Sequence, residues 1–247
     1  MVDESWTKEM AEVTDEVKRL KKVIVQFIQS CSHSMRSPLK TIQGLVTLLK
    51  QAQNYPEQEV KTFLELITTS TFKMEYMLDE LEQFLENSRR EVVIQSTDLK
   101  ELIQETIEDF STEFEKHQIQ PVVKVEQHIQ LRTDSNRLRM VLINMIDNAI
   151  RFHDESKSER IVDIRANVNF RSCLITISDN GTGIEEQYHS DIFKLYFRGS
   201  QRSNGLGMGL HIASEAVGKM GGSITVDSRE GMGSKFIIWF PNMLETS

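Results

Sequence analysis

Gly205-Leu206-Gly207-Met208-Gly209 leads directly into a helical segment, Leu210 to Lys219. A glycine-rich loop before a helix offers backbone N–H groups at the positive end of the helix dipole, which is typical of phosphate binding. The loop lacks the Gly-Lys-Ser/Thr ending of a Walker A motif and is not placed as a Rossmann fingerprint. It therefore predicts a nucleotide-holding fold of another kind in the C-terminal part of the chain.

The distribution of glycine divides the chain in two. Eleven of the 12 glycines lie between Gly181 and Gly233, and the remaining one is Gly44. Residues 1–90 are thus nearly free of helix breakers and predict a helical hairpin with an N-terminal coiled-coil extension. Residues 91–247 predict a second domain, and the fold class is α+β.

Both predicted helices of residues 1–90 carry apolar residues at heptad spacing, separated by a turn at Asn54-Tyr55-Pro56. The first seam contains Val13, Val17, Leu20, Ile24, Phe27, Cys31, Met35, Leu39, Ile42, Val46 and Leu49, and the second contains Val60, Leu64, Ile67, Thr71, Met74, Leu78, Leu81 and Leu85. One hairpin cannot bury both seams, so we expect a homodimer with a four-helix bundle. A monomeric coiled-coil stalk is the alternative.

The first helix contains Ser32-His33-Ser34-Met35-Arg36-Ser37-Pro38-Leu39. His33 lies two residues from both Cys31 and Met35, so it points away from the apolar seam. A neutral imidazole keeps one nitrogen lone pair available for attack at neutral pH. His33 is therefore a candidate nucleophile, the alternative being an ordinary exposed histidine beside a proline kink.

After a polar link at Asn87-Ser88-Arg89-Arg90, the pattern changes to that of an α/β sandwich with one solvated sheet face. Asp98 and Glu101 predict a helix capping box. The predicted strands contain Val92 to Ile94, Pro121 to Val125, Val162 to Phe170, Cys173 to Ile177, Ile224 with Val226, and Phe236 to Phe240, and residues 134–152 predict a helix.

Three polar motifs accompany these elements. Asn144 and Asn148 share a helix face with Arg151, which suits Mg²⁺ and phosphate. Asp179-Asn180-Gly181-Thr182-Gly183 follows a strand, so the carboxylate can accept a hydrogen bond from an adenine amino group, and the glycines allow close approach. Gly231-Met232-Gly233-Ser234 precedes the last strand. Each motif alone is weak, but their order and spacing are specific.

Together these motifs resemble, over essentially the whole length, the sensor histidine kinases of two-component systems. Residues 32–39 resemble the phosphoacceptor box of that family, residues 144–152 its asparagine box, residues 179–184 and 205–210 two glycine boxes, residues 192–198 its phenylalanine box, and residues 231–236 a last glycine box. The resemblance implies a dimerisation and phosphotransfer hairpin followed by a Bergerat-type ATP-binding domain.

The resemblance also implies the roles of individual residues. His33 would accept the phosphoryl group in the company of Ser34, Arg36 and Ser37. Asp179 would hold adenine, while Asn148 and Asn144 would coordinate Mg²⁺. The implied nucleotide-binding residues are Asn144, Asn148, Arg151, Phe152, Asp179, Gly181, Gly183, Ile184, Phe193, Arg198, Gly205, Leu206, Gly207, Met208, Gly209, Leu210 and Ser234.

The implied activity is ATP-dependent autophosphorylation of His33, followed by transfer to an aspartate of a response regulator receiver domain. A gyrase-like or chaperone-like ATPase is one rival, but those families place a glutamate base where this chain has Asn144. A nucleotide-binding scaffold without catalysis is the other rival. It draws support from Ser34, because the resembled family usually has an acid directly after the histidine.

Composition restricts the remaining classes. The net charge is −8, so a nucleic-acid surface is not expected, and hydrophobic content of 39% with charged content of 27% suits a globular chain. Two cysteines in different regions predict no disulfide framework. No apolar run is long enough for a membrane segment. We therefore expect a cytoplasmic location, or the cytoplasmic portion of a larger sensor protein.

Overall fold

The computed structural model describes residues 4–51, 55–197, 199 and 205–244. These residues divide into two compact units, Met1–Leu78 and Asp79–Ser247. The expected α+β architecture is confirmed, with an N-terminal helical hairpin and a mixed sheet. Residues 79–89 at the end of the second helix thus belong to the sheet-containing unit by their contacts. The predicted domain boundary between residues 90 and 91 stays a prediction.

The hairpin consists of two long helices, α1 (Glu4–Gln51) and α2 (Glu57–Arg89). Helix α1 continues through Pro38, although proline cannot donate the helix hydrogen bond. Asn54 of the predicted turn lies outside the described residues, as do the side chains of the seam residues Val13, Leu20 and Ile24. The second seam is largely open within one chain, since Leu64, Leu78 and Leu85 are exposed.

The sheet-containing unit alternates short helices with strands. Its elements after α2 are β1 (Gln95–Thr97), α3 (Leu99–Asp109), α4 (Ser111–His117), β2 (Ile119–Gln127), β3 (Leu131–Thr133), α5 (Ser135–Arg151), β4 (Arg160–Val168), β5 (Ser172–Asp179), a 3₁₀ turn (Glu186–Tyr188), α6 (Gly209–Lys219), β6 (Ser223–Arg229) and β7 (Gly233–Pro241). The predicted capping box is confirmed in its essential part, because the Asp98 carboxylate accepts the Glu101 backbone N–H at 3.0 Å.

The main sheet has the strand order β2-β4-β5-β7-β6, and β1 pairs with β3 in a separate small ladder. Strands β2 and β4 are parallel, and the other neighbouring pairs are antiparallel. Alternate residues of β4 are buried under α5 and its neighbouring helices, while Arg165 and Asn167 face solvent. The prediction of one covered and one solvated face is confirmed.

Two local predictions were wrong at the ends of strands. Val92 to Ile94 form no strand, since the Val93 N–H donates to the Asp134 carboxylate at 3.1 Å, and β1 begins only at Gln95. Phe170 lies beyond β4 and is 75% exposed. The Asn169 side chain there accepts the N–H groups of Arg171 and Ser172, which ends the alternation in a hairpin turn.

The predicted polar link at residues 87–90 is also corrected, because α2 continues to Arg89 and Asn87 is buried. Arg137, which is 2% exposed, pairs with Asp134 and donates to the Asn87 side chain at 3.1 Å and to the carbonyl of Glu91 at 3.0 Å. It donates further to the carbonyl of Arg90. This arginine fastens the end of α2 to the start of α5.

Candidate nucleotide-binding site

Helix α5 positions the two predicted asparagines. Its N-terminus is capped by Asp134, and its apolar face is buried in the core. Asn144 is buried and donates to the Met140 carbonyl at 2.8 Å and to the Gln83 side-chain oxygen at 2.9 Å. Asn148, one turn later, is half-buried, so this residue is partly open to solvent.

Arg151 ends the same helix and pairs with Asp147 at 2.7 Å. Phe152 follows as the C-cap of α5, and its carbonyl accepts the Thr182 N–H at 2.9 Å. This bond joins the end of α5 to the turn that follows β5. The structure thus brings the predicted asparagine motif and the predicted Asp-x-Gly-x-Gly motif together.

Asp179 is the last residue of β5. One of its carboxylate oxygens accepts the Gly181 N–H at 2.8 Å and the Ser234 N–H at 3.3 Å. Burial raises the pKa of Asp179 from 3.8 to about 6, against the opposing effects of these N–H groups and of the Lys157 charge. The residue is nevertheless only half-buried. A carboxylate with one exposed side can accept a hydrogen bond from a ligand amino group.

The glycines around Asp179 are required by close backbone contacts. A Cβ atom on Gly181 would lie 2.2 Å from the Phe152 carbonyl oxygen. Gly183 has φ +69° and its Cβ would lie 2.0 Å from the Arg229 carbonyl oxygen. Two turns, residues 179–183 and 229–233, are therefore packed backbone to backbone beside α5.

The glycine-rich loop that precedes α6 already holds an anionic group. The backbone N–H groups of Leu206 and Met208 both donate to the carboxylate of Glu80, the latter at 3.1 Å. Glu80 is 4% exposed, and burial raises its pKa although both N–H groups and the Arg151 charge lower it. Gly207, with φ +75°, lets the two N–H groups converge. The loop thus directs two backbone N–H groups at one carboxyl group, and its binding of phosphate stays a prediction.

Asn144 links this loop to the rest of the site. A Cβ atom on Gly209, the first residue of α6, would lie 2.7 Å from the Asn144 side-chain oxygen. Three more of the predicted residues, Ile184, Ser234 and Leu210, lie near these turns or against the core. The Ile184 N–H donates to the Ser228 hydroxyl at 2.9 Å, and that hydroxyl lies 3.0 Å from the Ser234 hydroxyl. Leu210 is half-buried against the core.

Phe193 packs against the core, its ring edge-on to Phe236 with centroids 6.4 Å apart. Its carbonyl oxygen lies 3.0 Å from a ring nitrogen of His211 in α6. Arg198 lies outside the described residues, as do residues 200–204 before the glycine-rich loop.

The predicted phosphoacceptor motif, residues 32–39, belongs to the other unit. His33 is exposed on α1, while Cys31 and Pro38 are buried and Ser34 is half-buried. The expectation that His33 points away from the apolar seam is confirmed. Arg36 and Ser37 are also exposed.

The donors fit a nucleotide with its metal ion better than they fit a resident metal centre. No group of three or more His, Cys, Asp or Glu side chains gathers among the described residues. Amide oxygens bind Mg²⁺ when phosphate oxygens and water complete its shell. The glycine-rich loop directs two backbone N–H donors at the Glu80 carboxyl group, and phosphate oxygens accept such donors.

Three residues of the site were missed by sequence reasoning, namely Glu80, Gln83 and Lys157. Glu80 and Gln83 lie among many acidic and polar residues of α2, and no local pattern distinguishes them. Lys157 lies in a polar loop without periodicity. Each acts through contacts that are distant in sequence.

Comparison with known proteins agrees with this geometry. Residues 133–243 match the family described as histidine kinase-, DNA gyrase B-, and HSP90-like ATPase. The chain is 28% identical over 241 residues to the sensor histidine kinase YclK of Bacillus subtilis, covering 95% of this chain and 50% of that protein. It therefore spans about half the length of the relatives it matches.

Solved structures share the fold. The histidine kinase ThkA in complex with the response regulator protein TrrA superposes with a TM-score of 0.72 at 23% identity, covering 95% of this chain and 67% of that one. Full-length ShkA in complex with AMPPNP gives a TM-score of 0.61 at 22% identity, covering 87% and 45%. At these identities the likeness shows the fold alone.

Proposed function

We propose that this chain is the catalytic core of a sensor histidine kinase, which uses ATP to phosphorylate its own His33 and relays the phosphoryl group to a response regulator. The observation that carries the proposal is the geometry around α5. A half-buried carboxylate, Asp179, lies near one end of the site, and an anion-binding loop before α6 lies near the other.

Asp179 accepts the adenine amino group, and Gly181 and Gly183 allow the base to approach the backbone. Asn148, Asn144 and Arg151 face the phosphates, and the N–H groups of Leu206 and Met208 hold phosphate oxygens in place of the Glu80 carboxylate. Asn148 and Asn144 would hold Mg²⁺, which when bound neutralises charge on the phosphates.

His33 supplies the nucleophile. An imidazole nitrogen attacks the γ-phosphorus, the bond to the leaving oxygen of ADP breaks, and the ring proton leaves to solvent or to a neighbouring base. Ser34 can orient the ring by a hydrogen bond, while Arg36 and Ser37 lie on the same exposed segment. The exposed position of His33 suits transfer both from the nucleotide and to a partner.

The relay step requires an acceptor aspartate, which belongs to a partner protein. The response regulator TrrA in the ThkA complex supports the choice of a receiver domain. We propose that such a domain docks on the helical hairpin near His33. We propose that the chain works in the cytoplasm, on its own or as part of a larger sensor. No described helix is both long and apolar enough to cross a bilayer.

We also propose that the chain acts as a homodimer. The seam residues Val17, Leu39, Leu64, Leu78 and Leu85 are exposed within one chain. Burying such side chains is worth roughly 1.5–3 kcal/mol each, so a second copy that covers them gains substantial stability. A four-helix bundle provides that cover.

Incubation with γ-labelled ATP tests the activity. The kinase is expected to give an acid-labile protein label that is absent from His33→Gln, while both chains bind ATP equally. Release of phosphate without protein label would instead indicate an ATPase. Nucleotide binding with neither label nor phosphate release would indicate a scaffold.

A further inference from the structure

The two turns that frame Asp179 depend on each other for their shape. The Gly231 N–H donates to the Thr182 carbonyl at 2.7 Å, and the Ser234 N–H donates to the Asp179 carboxylate. The turn before β7 adds the backbone of Arg229 and Glu230 beside Gly183. The exact position of the Asp179 carboxylate therefore depends on what fastens these turns together.

Lys157 fastens both turns. Its ammonium group donates to the carbonyls of Asn180 at 2.5 Å, Gly181 at 3.3 Å and Gly231 at 3.0 Å. An ammonium group has three donors, and here each has a carbonyl partner. Two of these carbonyls belong to the turn after β5 and the third to the turn before β7.

The lysine is itself positioned by a small turn. The Asp154 carboxylate accepts both the backbone N–H and the hydroxyl of Ser156, at 3.0 Å and 2.7 Å. The Lys157 N–H donates to the Asp154 carbonyl at 3.2 Å. Lys157 is itself half-buried.

The charge of Lys157 also acts on Asp179. On the neighbouring strands the residues paired with Asp179 are Val162 and Ser234, neither of which is charged. The Lys157 charge lowers the pKa of Asp179 and opposes the effect of burial. An ionised carboxylate is the stronger hydrogen-bond acceptor.

From these contacts we propose that Lys157 is a positioning residue for adenine recognition, which clamps the two turns and acts through its charge on the Asp179 acceptor. The inference rests on the proposed function, since it concerns the same nucleotide site. It assigns a role to a residue that contacts the site through backbone carbonyls and acts on Asp179 through its charge.

The test is the pH dependence of ADP affinity, measured on the full chain by calorimetry without Mg²⁺ from pH 5 to pH 8.5. Titration of ADP itself is common to all variants and cancels in the comparison. In Lys157→Gln, which keeps donors without charge, we expect the midpoint of the affinity loss to move up by about one pH unit. Lys157→Met should show the same shift and a further loss at high pH, because the clamp is also removed.

Two further variants complete the experiment. Lys124→Gln removes the same charge from an exposed residue paired with Glu126, and it should leave the midpoint unchanged. Lys157→Arg keeps the charge and should keep the pH midpoint of the parent. Its midpoint can be compared with that of Lys157→Gln even if Lys157→Met does not fold. A midpoint equal to that of the parent in a folded Lys157→Gln protein overturns the proposal, even with uniformly weaker binding. Absence of ADP binding by the parent would instead overturn the proposed function, and this inference with it.

Discussion

The Glu80 carboxylate accepts the backbone N–H of Met208 at 3.1 Å, so an acidic side chain of α2 occupies donors at the start of α6. The neighbouring Leu206 N–H donates to the same carboxylate. A phosphate oxygen that used these donors would have to displace the side chain. The structure therefore shows the loop in its self-liganded form.

Replacing Glu80 should strengthen nucleotide binding. We expect Glu80→Ala to raise ATP affinity by about tenfold or more, since one hydrogen bond to a charged group contributes roughly 1.5–3 kcal/mol. Calorimetry with Mg-ATP measures the change. Glu82→Ala, which removes an exposed acid of the same helix, is the matched control and should bind like the parent. Equal affinity in both variants would show that Glu80 does not compete with the phosphates.

The ionised Asp179 side chain should lower the free energy of unfolding at high pH. Its pKa of about 6 lies above the unfolded value of 3.8, so the folded protein holds the proton more tightly and the free energy of unfolding falls as pH rises through that window. Asparagine is neutral and keeps an oxygen for the Gly181 N–H. We expect Asp179→Asn to be more stable than the parent at pH 8, by at most about 3 kcal/mol, with little difference below pH 4.

Denaturant unfolding at the two pH values measures this effect, and ADP titration measures the functional loss. The variant should bind adenine nucleotides more weakly with or without Mg²⁺. A variant less stable than the parent at pH 8 would contradict the assigned shift in pKa.

Asn148 should matter only when the metal is present. We expect Asn148→Ala to weaken Mg-ATP binding and His33 labelling about tenfold or more, because even residues that support a metal ligand are worth that much in metal affinity. Binding of ADP without Mg²⁺ should change little. Asn136→Ala, an exposed asparagine on the same helix, serves as the control. Equal losses with and without Mg²⁺ would argue against a ligand role.

Ser34 is expected to limit the rate of autophosphorylation. A positioned base beside the attacking group contributes about 10²–10⁴-fold, and a serine hydroxyl is no base at neutral pH. Ser34→Glu should therefore speed the initial labelling of His33 by roughly tenfold or more, discounted for imperfect placement. The rate is measured at saturating Mg-ATP, with the melting temperature checked. An unchanged rate in a folded variant means that His33 is activated in another way.

The dimer should depend on one face of α2. Leu64→Glu and Leu78→Glu place a charge on the exposed seam, and light scattering should show a shift towards monomer. Phe72→Glu places the same charge on an exposed residue outside the seam and should leave the dimer intact. A monomeric parent chain would contradict the proposed dimer. Dissociation by Phe72→Glu alone would place the interface on another face.

Sequence reasoning found the parts of the site that are local in the chain. Asp179 with its glycines follows a strand end, and the asparagines of α5 share one helical face, so short-range periodicity was sufficient. Contacts between distant segments left no such signal. Glu80 and Leu206 are 126 residues apart, and nothing in either segment indicates the other.

The errors in the fold have the same origin. The valines at 92 and 93 have strand propensity, but the Asp134 side chain takes the backbone donor that a strand ladder would need. Asn87 looks like part of a polar linker until Arg137, 50 residues later, is seen to bind its side chain. Tertiary hydrogen bonds thus overrode local preference at each of these positions.

The attachment of Arg137 to residues 87–91 has a practical consequence for protein engineering. A chimaera that joins a foreign input module between residues 90 and 91 would cut through this attachment. It would replace Asn87 and Arg90, two partners of the guanidinium group, and keep the Glu91 carbonyl. A junction upstream of Asp79 keeps the whole fastening on one side of the graft. Sensors built from this core should therefore be spliced within the helix, in register with its heptads, rather than at the polar segment that resembles a linker.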